Sequence, residues 1–294
     1  MQWRGRRGSR NIEDRRGGRG RVGKAAGGGF GLGALLLLAA SFFFPEAVPL
    51  LEMVGVGGGG SSQSRPGVSQ PGPGIDDDAK EFIAVVLADT EEVWTDEFAK
   101  ADPVHLERTD DYPEPVLVIF SGQTMSPCGP ATTGAGPFYC PGDKKIYIDP
   151  AFYNVMERQL GAKGDFARAY VIAHEVAHHV QNVTGRIPQV SAYRKRVSKT
   201  EANKATVRLE LQADCYSGVF TRRKREVLDE GDLEEALNAA FAIGDDTLQR
   251  RSGHVNPATF THGTSEQRVN WFYRGLKSGD VDDCDTFSQP YEAL

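Results

Sequence analysis

Five residues, His174-Glu-Val-Ala-His178, constrain this chain more than any others. They sit inside AYVIAHEVAHHVQNVTG, an apolar-rich run that reads as an α-helix from about Phe166 to Asn182, with Gly185 as its stop. On an α-helix, His174 and His178 lie one turn apart on the same face, and Glu175 stands beside them. Two imidazoles able to share a cation, next to a carboxylate able to take a proton, point to metal-assisted hydrolysis, with zinc as the ion. The plain alternative is an amphipathic helix with two polar core histidines. It leaves the adjacent acid unexplained.

A zinc site that performs chemistry needs three protein ligands and one open position. One class takes its third ligand from a histidine six residues after the second, with a glycine between; here those positions hold Thr184 and Gln181. The other common class takes a glutamate from a second helix. The segment Glu210-Leu-Gln-Ala-Asp214, within a helix expected from about Thr200 to Arg223, meets that need. Glu210 is the expected ligand. Asp214, one turn on, is expected to accept a hydrogen bond from the far nitrogen of a ligating histidine and so orient the ring. Glu201 is a poorer choice, because Ala205 stands where its partner would be. The expectation is therefore one Zn²⁺ per chain, held by His174, His178 and Glu210, with Glu175 as general base. His262, in THGTSEQR, is the candidate for stabilising the oxyanion, with Arg268 second. For Glu210 and Asp214 the plain reading is a solvated helix face, and His262 could simply precede a helix cap. His179 lies off the ligand line and reads as structural; His105 and His254 have no supporting context.

Charge divides the chain. Residues 1–24 carry nine Arg or Lys against two acids, in a protein of net charge −6, so the remainder is acidic. That balance argues against nucleic acid as the partner. Residues 25–45, AAGGGFGLGALLLLAASFFFP, are uncharged and long enough to cross a bilayer. Residues 1–24 then read as a basic cytoplasmic segment, 25–45 as a transmembrane helix, 46–75 as a Gly/Ser/Pro-rich linker and 76–294 as the working domain. The expected localisation is a single-pass membrane protein with its N-terminus cytoplasmic and its catalytic domain extracytoplasmic. Cleavage near Ala39–Ser41 is the alternative, but three phenylalanines follow directly. In an oxidising compartment the four cysteines suggest disulfides: Cys128 with Cys140 around a Gly/Pro-rich loop, and Cys215 with Cys284 by elimination. Buried free thiols are the alternative.

Within the domain, residues 76–101 approximate helical spacing, VLVIF (116–120) reads as a strand and GPFYCPGDKKIYIDP as a hairpin. Further helices are expected over 232–243 and from Thr264, where Thr264 and Gln267 match a capping box. The fold class is α+β, a small sheet preceding a mainly helical region.

WRGRRGSRNIEDRRG, the hydrophobic segment, the Gly-rich linker, GPFYCPGDKKIYID, AYVIAHEVAHHVQ, RLELQADCYSG and FTHGTSEQRVNWFYRG together resemble the neutral zinc metallopeptidase family of bacteria, often called the YpfJ family. The resemblance runs nearly the whole length. It implies a membrane-anchored, zincin-like domain of gluzincin type, with His174, His178 and Glu210 as ligands, Glu175 as base and Asp214 as supporting carboxylate. It also implies a small sheet roofing the cleft, with the 138–149 hairpin as the edge able to pair with an extended substrate. A peptide or protein substrate is the expected partner, besides the membrane itself. Two other functions fit the same residues: a catalytically silent zincin-fold scaffold, and a hydrolase of cell-wall amides. The intact Glu175 favours an enzyme over the first, and the lack of a wall-binding repeat disfavours the second.

Overall fold

A computed structural model of the chain describes residues 1–16, 75–100, 111–251 and 253–294. Its architecture is α+β. A four-stranded sheet, ordered β1-β2-β6-β5, is built from β1 (Ile12–Asp14), β2 (Val116–Ile119), β5 (Phe138–Cys140) and β6 (Lys145–Ile148). β1 and β6 flank β2 in parallel, and β5 closes back on β6 as the expected hairpin, so β5 forms one edge. Between β2 and β5, β3 (Gln123–Ser126) and β4 (Gly129–Thr132) form a separate antiparallel hairpin that the sequence pattern does not announce.

The continuous apolar run of β2 follows from its position. Leu117 and Ile119 join the main core under the helices, whereas Val118 and Phe120 pack with Ala131, Cys140 and Tyr147 on the opposite face. A strand buried on both sides has no polar face to alternate with. The disulfide Cys128–Cys140 ties the β3–β4 hairpin to the end of β5, and Cys215–Cys284 ties the C-terminal segment to the core.

Eight helices are used below. They are α1 (Ile75–Ala99), α2 (Phe152–Val155, continued by a π-helical turn), α3 (Asp165–Val183), α4 (Arg186–Arg194), α5 (Lys199–Arg223), α6 (Asp232–Ala242), α7 (Asp245–Arg251) and α8 (Ser265–Ser278). Gly185 ends α3 as expected, and its backbone (φ 83°) also opens α4, which the sequence reading did not foresee. Thr264 caps α8 through both bonds of a capping box with Gln267. Helices α5 and α8 touch backbone to backbone. A Cβ on Gly218 would lie 2.0 Å from the Phe272 carbonyl oxygen, and one on Gly275 1.9 Å from that of Cys215. Glycine at both points lets the two helices approach closely enough for residues of α8 to reach those of α5.

One expectation needs correction. Residues 1–16 are not a segment apart from the domain: β1 belongs to the four-stranded sheet, and Trp3 packs edge-to-face on Phe82 of α1 at 5.5 Å. Periodicity could not show this, because β1 has three residues and its partner lies a hundred residues on. The expected transmembrane helix, 25–45, and the linker up to residue 74 lie outside the described residues. Among those described, no helix is long and apolar enough to cross a membrane.

Candidate metal centre

Helix α3 runs through the core, with every residue from Ala169 to Gln181 buried. Its apolar content is what drives it there, and the three reactive side chains are carried along. His174 and His178 meet edge-to-face with ring centroids 4.8 Å apart. Helix α5 crosses beside them and delivers Glu210, only 2% exposed. One carboxylate oxygen lies 3.1 Å from His174 Nε2, the other 3.5 Å from His178 Nε2. Donor atoms of His174, His178 and Glu210 all fall within 4.8 Å of one another. Two nitrogens and an oxygen converging in a buried, partly negative pocket fit Zn²⁺.

Each imidazole is held from behind. His178 Nδ1 donates to Gln181 Oε1 at 2.9 Å, and Gln181 Nε2 in turn donates to the Leu209 carbonyl and Gln212 Oε1. That fixes the tautomer with Nε2 bare toward the cluster. Gln181 entered the sequence reading only as the position lacking a glycine, yet it orients His178. His174 Nδ1 lies 2.9 Å from Asp214 Oδ1, an ion-pair contact. Asp214 is fully buried and is gripped by Arg268 of α8, whose Nε and Nη2 donate at 2.8 and 2.9 Å, and by the Tyr170 hydroxyl at 2.5 Å. Burial disfavours the charge on Asp214, but Arg268 and His174 outweigh it and hold its pKa below the ordinary carboxylate value. Arg268, the second choice for the oxyanion, also lines the cleft, with its Nε and Nη2 engaged by Asp214.

Burial likewise opposes the charge on Glu210, and His178 with His174 overcomes it, so this carboxyl titrates well below its ordinary value. Glu175 shows the reverse balance. Burial pushes its pKa up more than the neighbouring histidines pull it down, and the Tyr139 backbone N–H faces it from β5. A basic carboxylate beside a cluster of charge is what a proton carrier requires.

His262 comes to the same place from the loop before α8. Its Nδ1 sits 3.1 Å from Asp245 Oδ1, while the other oxygen of Asp245 accepts from the backbone N–H groups of Thr261, His262 and Gly263. Burial opposes protonation of His262, but Asp245 outweighs it and raises the pKa. Asp245 escaped the sequence reading because it lies 17 residues away on α7. His174, Glu175, His178, Glu210 and His262 all line one cleft of about 740 Å³, together with Phe138 and Tyr139 of the edge strand. Glu201 stays outside, at the surface beside Lys204. His254 is exposed, and His105 lies outside the described residues.

His179 faces away from the cluster. Its Nε2 donates to the Pro113 carbonyl, and its Nδ1 accepts from the Tyr139 hydroxyl at 3.1 Å, while Asn182 donates to the same hydroxyl at 2.9 Å. The neutral ring thus braces α3 against β5, and burial lowers its pKa to about 4. An unfolded chain binds this proton near pH 6.5 while the folded one does not until about pH 4. Stability is therefore expected to fall as pH drops through that window, by up to about 1.4 kcal/mol per pH unit from this group. Denaturant titrations of the parent and His179→Gln from pH 7 to pH 4 check this: the difference between the two profiles should shrink toward low pH. A constant difference would show that His179 titrates alike in both states.

The family model described as Putative neutral zinc metallopeptidase matches residues 1–287. Among similar proteins, the uncharacterized protein YpfJ of Escherichia coli K12 is 44% identical over 301 residues, spanning 98% of this chain and 99% of its own. Uncharacterized proteins of Mycobacterium bovis and Mycobacterium tuberculosis are 43% identical over 191 residues, 60% of this chain and 64% of theirs. No solved structure matches the chain.

Proposed function

The chain belongs to the neutral zinc metallopeptidase family, and from that premise we propose that it is a zinc-dependent endopeptidase with a zincin-like domain, His174, His178 and Glu210 being its metal ligands. The observation that carries this reading is the shared cleft, where a buried two-histidine, one-glutamate cluster meets a basic carboxylate and an aspartate-held histidine. A zinc ion there supplies a Lewis acid that polarises a carbonyl and acidifies water.

The chain's own groups do the rest. Glu175 accepts a proton from the attacking water and passes it to the departing amine. His262, whose protonated form Asp245 favours, donates from Nε2 to the oxygen on which charge develops. Asp214 and Gln181 hold the ligating rings in one orientation, so little reorganisation accompanies the reaction. The edge strand β5 borders the cleft, and among the described residues no strand pairs with its outer side, which suits an extended polypeptide in β-pairing. Recognition through the main chain makes cleavage tolerant of sequence, with the apolar walls adding preference.

The test is digestion of casein and a mixed peptide library by the full-length protein. Activity should vanish on chelation and return with one equivalent of Zn²⁺. Stoichiometric zinc binding without cleavage of either substrate would instead favour a scaffold that keeps the metal.

A further inference from the structure

The N-terminal arm and the zinc domain complete each other, and we infer that they occupy the same compartment, on the same side of any membrane. The expected topology puts a bilayer between them. The hydrogen bonding opposes it. Leu117 N–H of β2 donates to the Asn11 carbonyl at 2.8 Å, and Arg15 N–H donates to that of Ile119 at 2.8 Å. Paired strands lie about 4.8 Å apart, whereas a hydrocarbon core is about 30 Å thick.

Burial adds a second, independent reason. Helix α1 carries two carboxylates with almost no access to water, Asp89 at 3% and Glu91 at 4% exposure. Glu91 accepts hydrogen bonds from Ser9 Oγ at 2.5 Å and Asn11 Nδ2 at 2.8 Å, both on the arm. Asp89 accepts a two-pronged pair from Arg6 at 2.7 and 2.5 Å, with Lys224 more distant at 3.5 Å. A domain folded without the arm would leave these acids stripped of their main partners in a place made to exclude water.

The charge pattern that suggested a cytoplasmic head has another account. Arg4 pairs with Asp78 and Arg6 with Asp89, both on α1, while Arg15 and Arg16 pair with Glu13 and Asp14 of the arm itself, so two of these arginines are engaged by the domain and two within the arm. The two flanks of residues 17–74 also lie close together, since Asp14 at the end of β1 meets Lys80 in the first turns of α1 at 3.3 Å. The chain departs and returns at one place. Both disulfides lie in the same folded unit, which puts the shared compartment on the oxidising side.

Site-directed labelling of the full chain tests this. Arg10 on the arm and Ala192 on α4 are both exposed, so Arg10→Cys and Ala192→Cys leave the fold intact. Each is treated in intact cells or spheroplasts with a membrane-impermeant maleimide, then again after permeabilisation, and compared with the parent chain. Same-compartment placement requires the two positions to behave alike, and both are expected to label before permeabilisation. Joint labelling only after permeabilisation would still support the shared compartment while removing the oxidising assignment. Labelling of one position alone in intact cells overturns the inference. So does recovery from cells of a folded zinc domain lacking residues 1–16.

Discussion

Replacing Glu175 with glutamine should leave one Zn²⁺ bound per chain and lower kcat/KM on peptides by about 10²–10⁴-fold. The residue sits one position beyond His174 on α3 and lines the same cleft as His174, His178 and Glu210 without belonging to their cluster. Glutamine matches the shape of glutamate and can still accept the Tyr139 N–H, but it cannot take a proton at neutral pH. Metal analysis and steady-state kinetics on the same preparation decide the matter. Cleavage at parental rate would remove Glu175 as the base. Loss of zinc along with activity would make it a ligand or a structural support instead.

Asp214→Asn should be the most damaging single exchange behind the ligands. The carboxylate is fully buried and neutralises Arg268, itself 1% exposed. Removing the charge from one partner strands the other, which costs about 3–5 kcal/mol in a buried pair. For a domain of this size that lowers the melting temperature by about 10 °C. Zinc affinity should fall as well, by about 10–100-fold, because His174 loses the group that sets its orientation. The double variant Asp214→Asn with Arg268→Met separates the two effects. Deleting the stranded cation should recover much of the stability, whereas zinc affinity should stay low. Melting curves and competitive zinc titrations provide the two readings; full recovery of both would mean that Asp214 acts on Arg268 alone.

How much of this was visible beforehand depended on distance along the chain. His174 with His178, and Glu210 with Asp214, are spaced by one helical turn. A helix converts that spacing into a shared face without help from the rest of the molecule. The capping box at Thr264 is local in the same way. The supports around the site were harder to see. Gln181 was close in sequence, but its role depends on the carbonyl of Leu209, 28 residues on. Asp245 serves His262 from another helix, and Arg268 meets Asp214 across 54 residues. Nothing in a periodic pattern records which helix face will meet which.

Turn-by-turn spacing and apolar periodicity are properties of short segments, so the candidate reactive set and the helices that bear it were legible in the amino-acid order. What each of those groups rests on, and where the first sixteen residues belong, depends on how distant segments pack. Strand pairing, the sharing of buried charge and the close crossing at Gly218 and Gly275 arise when distant segments exclude water together. An arginine-rich head that looks detached in the one-dimensional chain becomes, in three dimensions, an edge of the sheet and, through Arg6, the counter-charge to the buried Asp89 of α1.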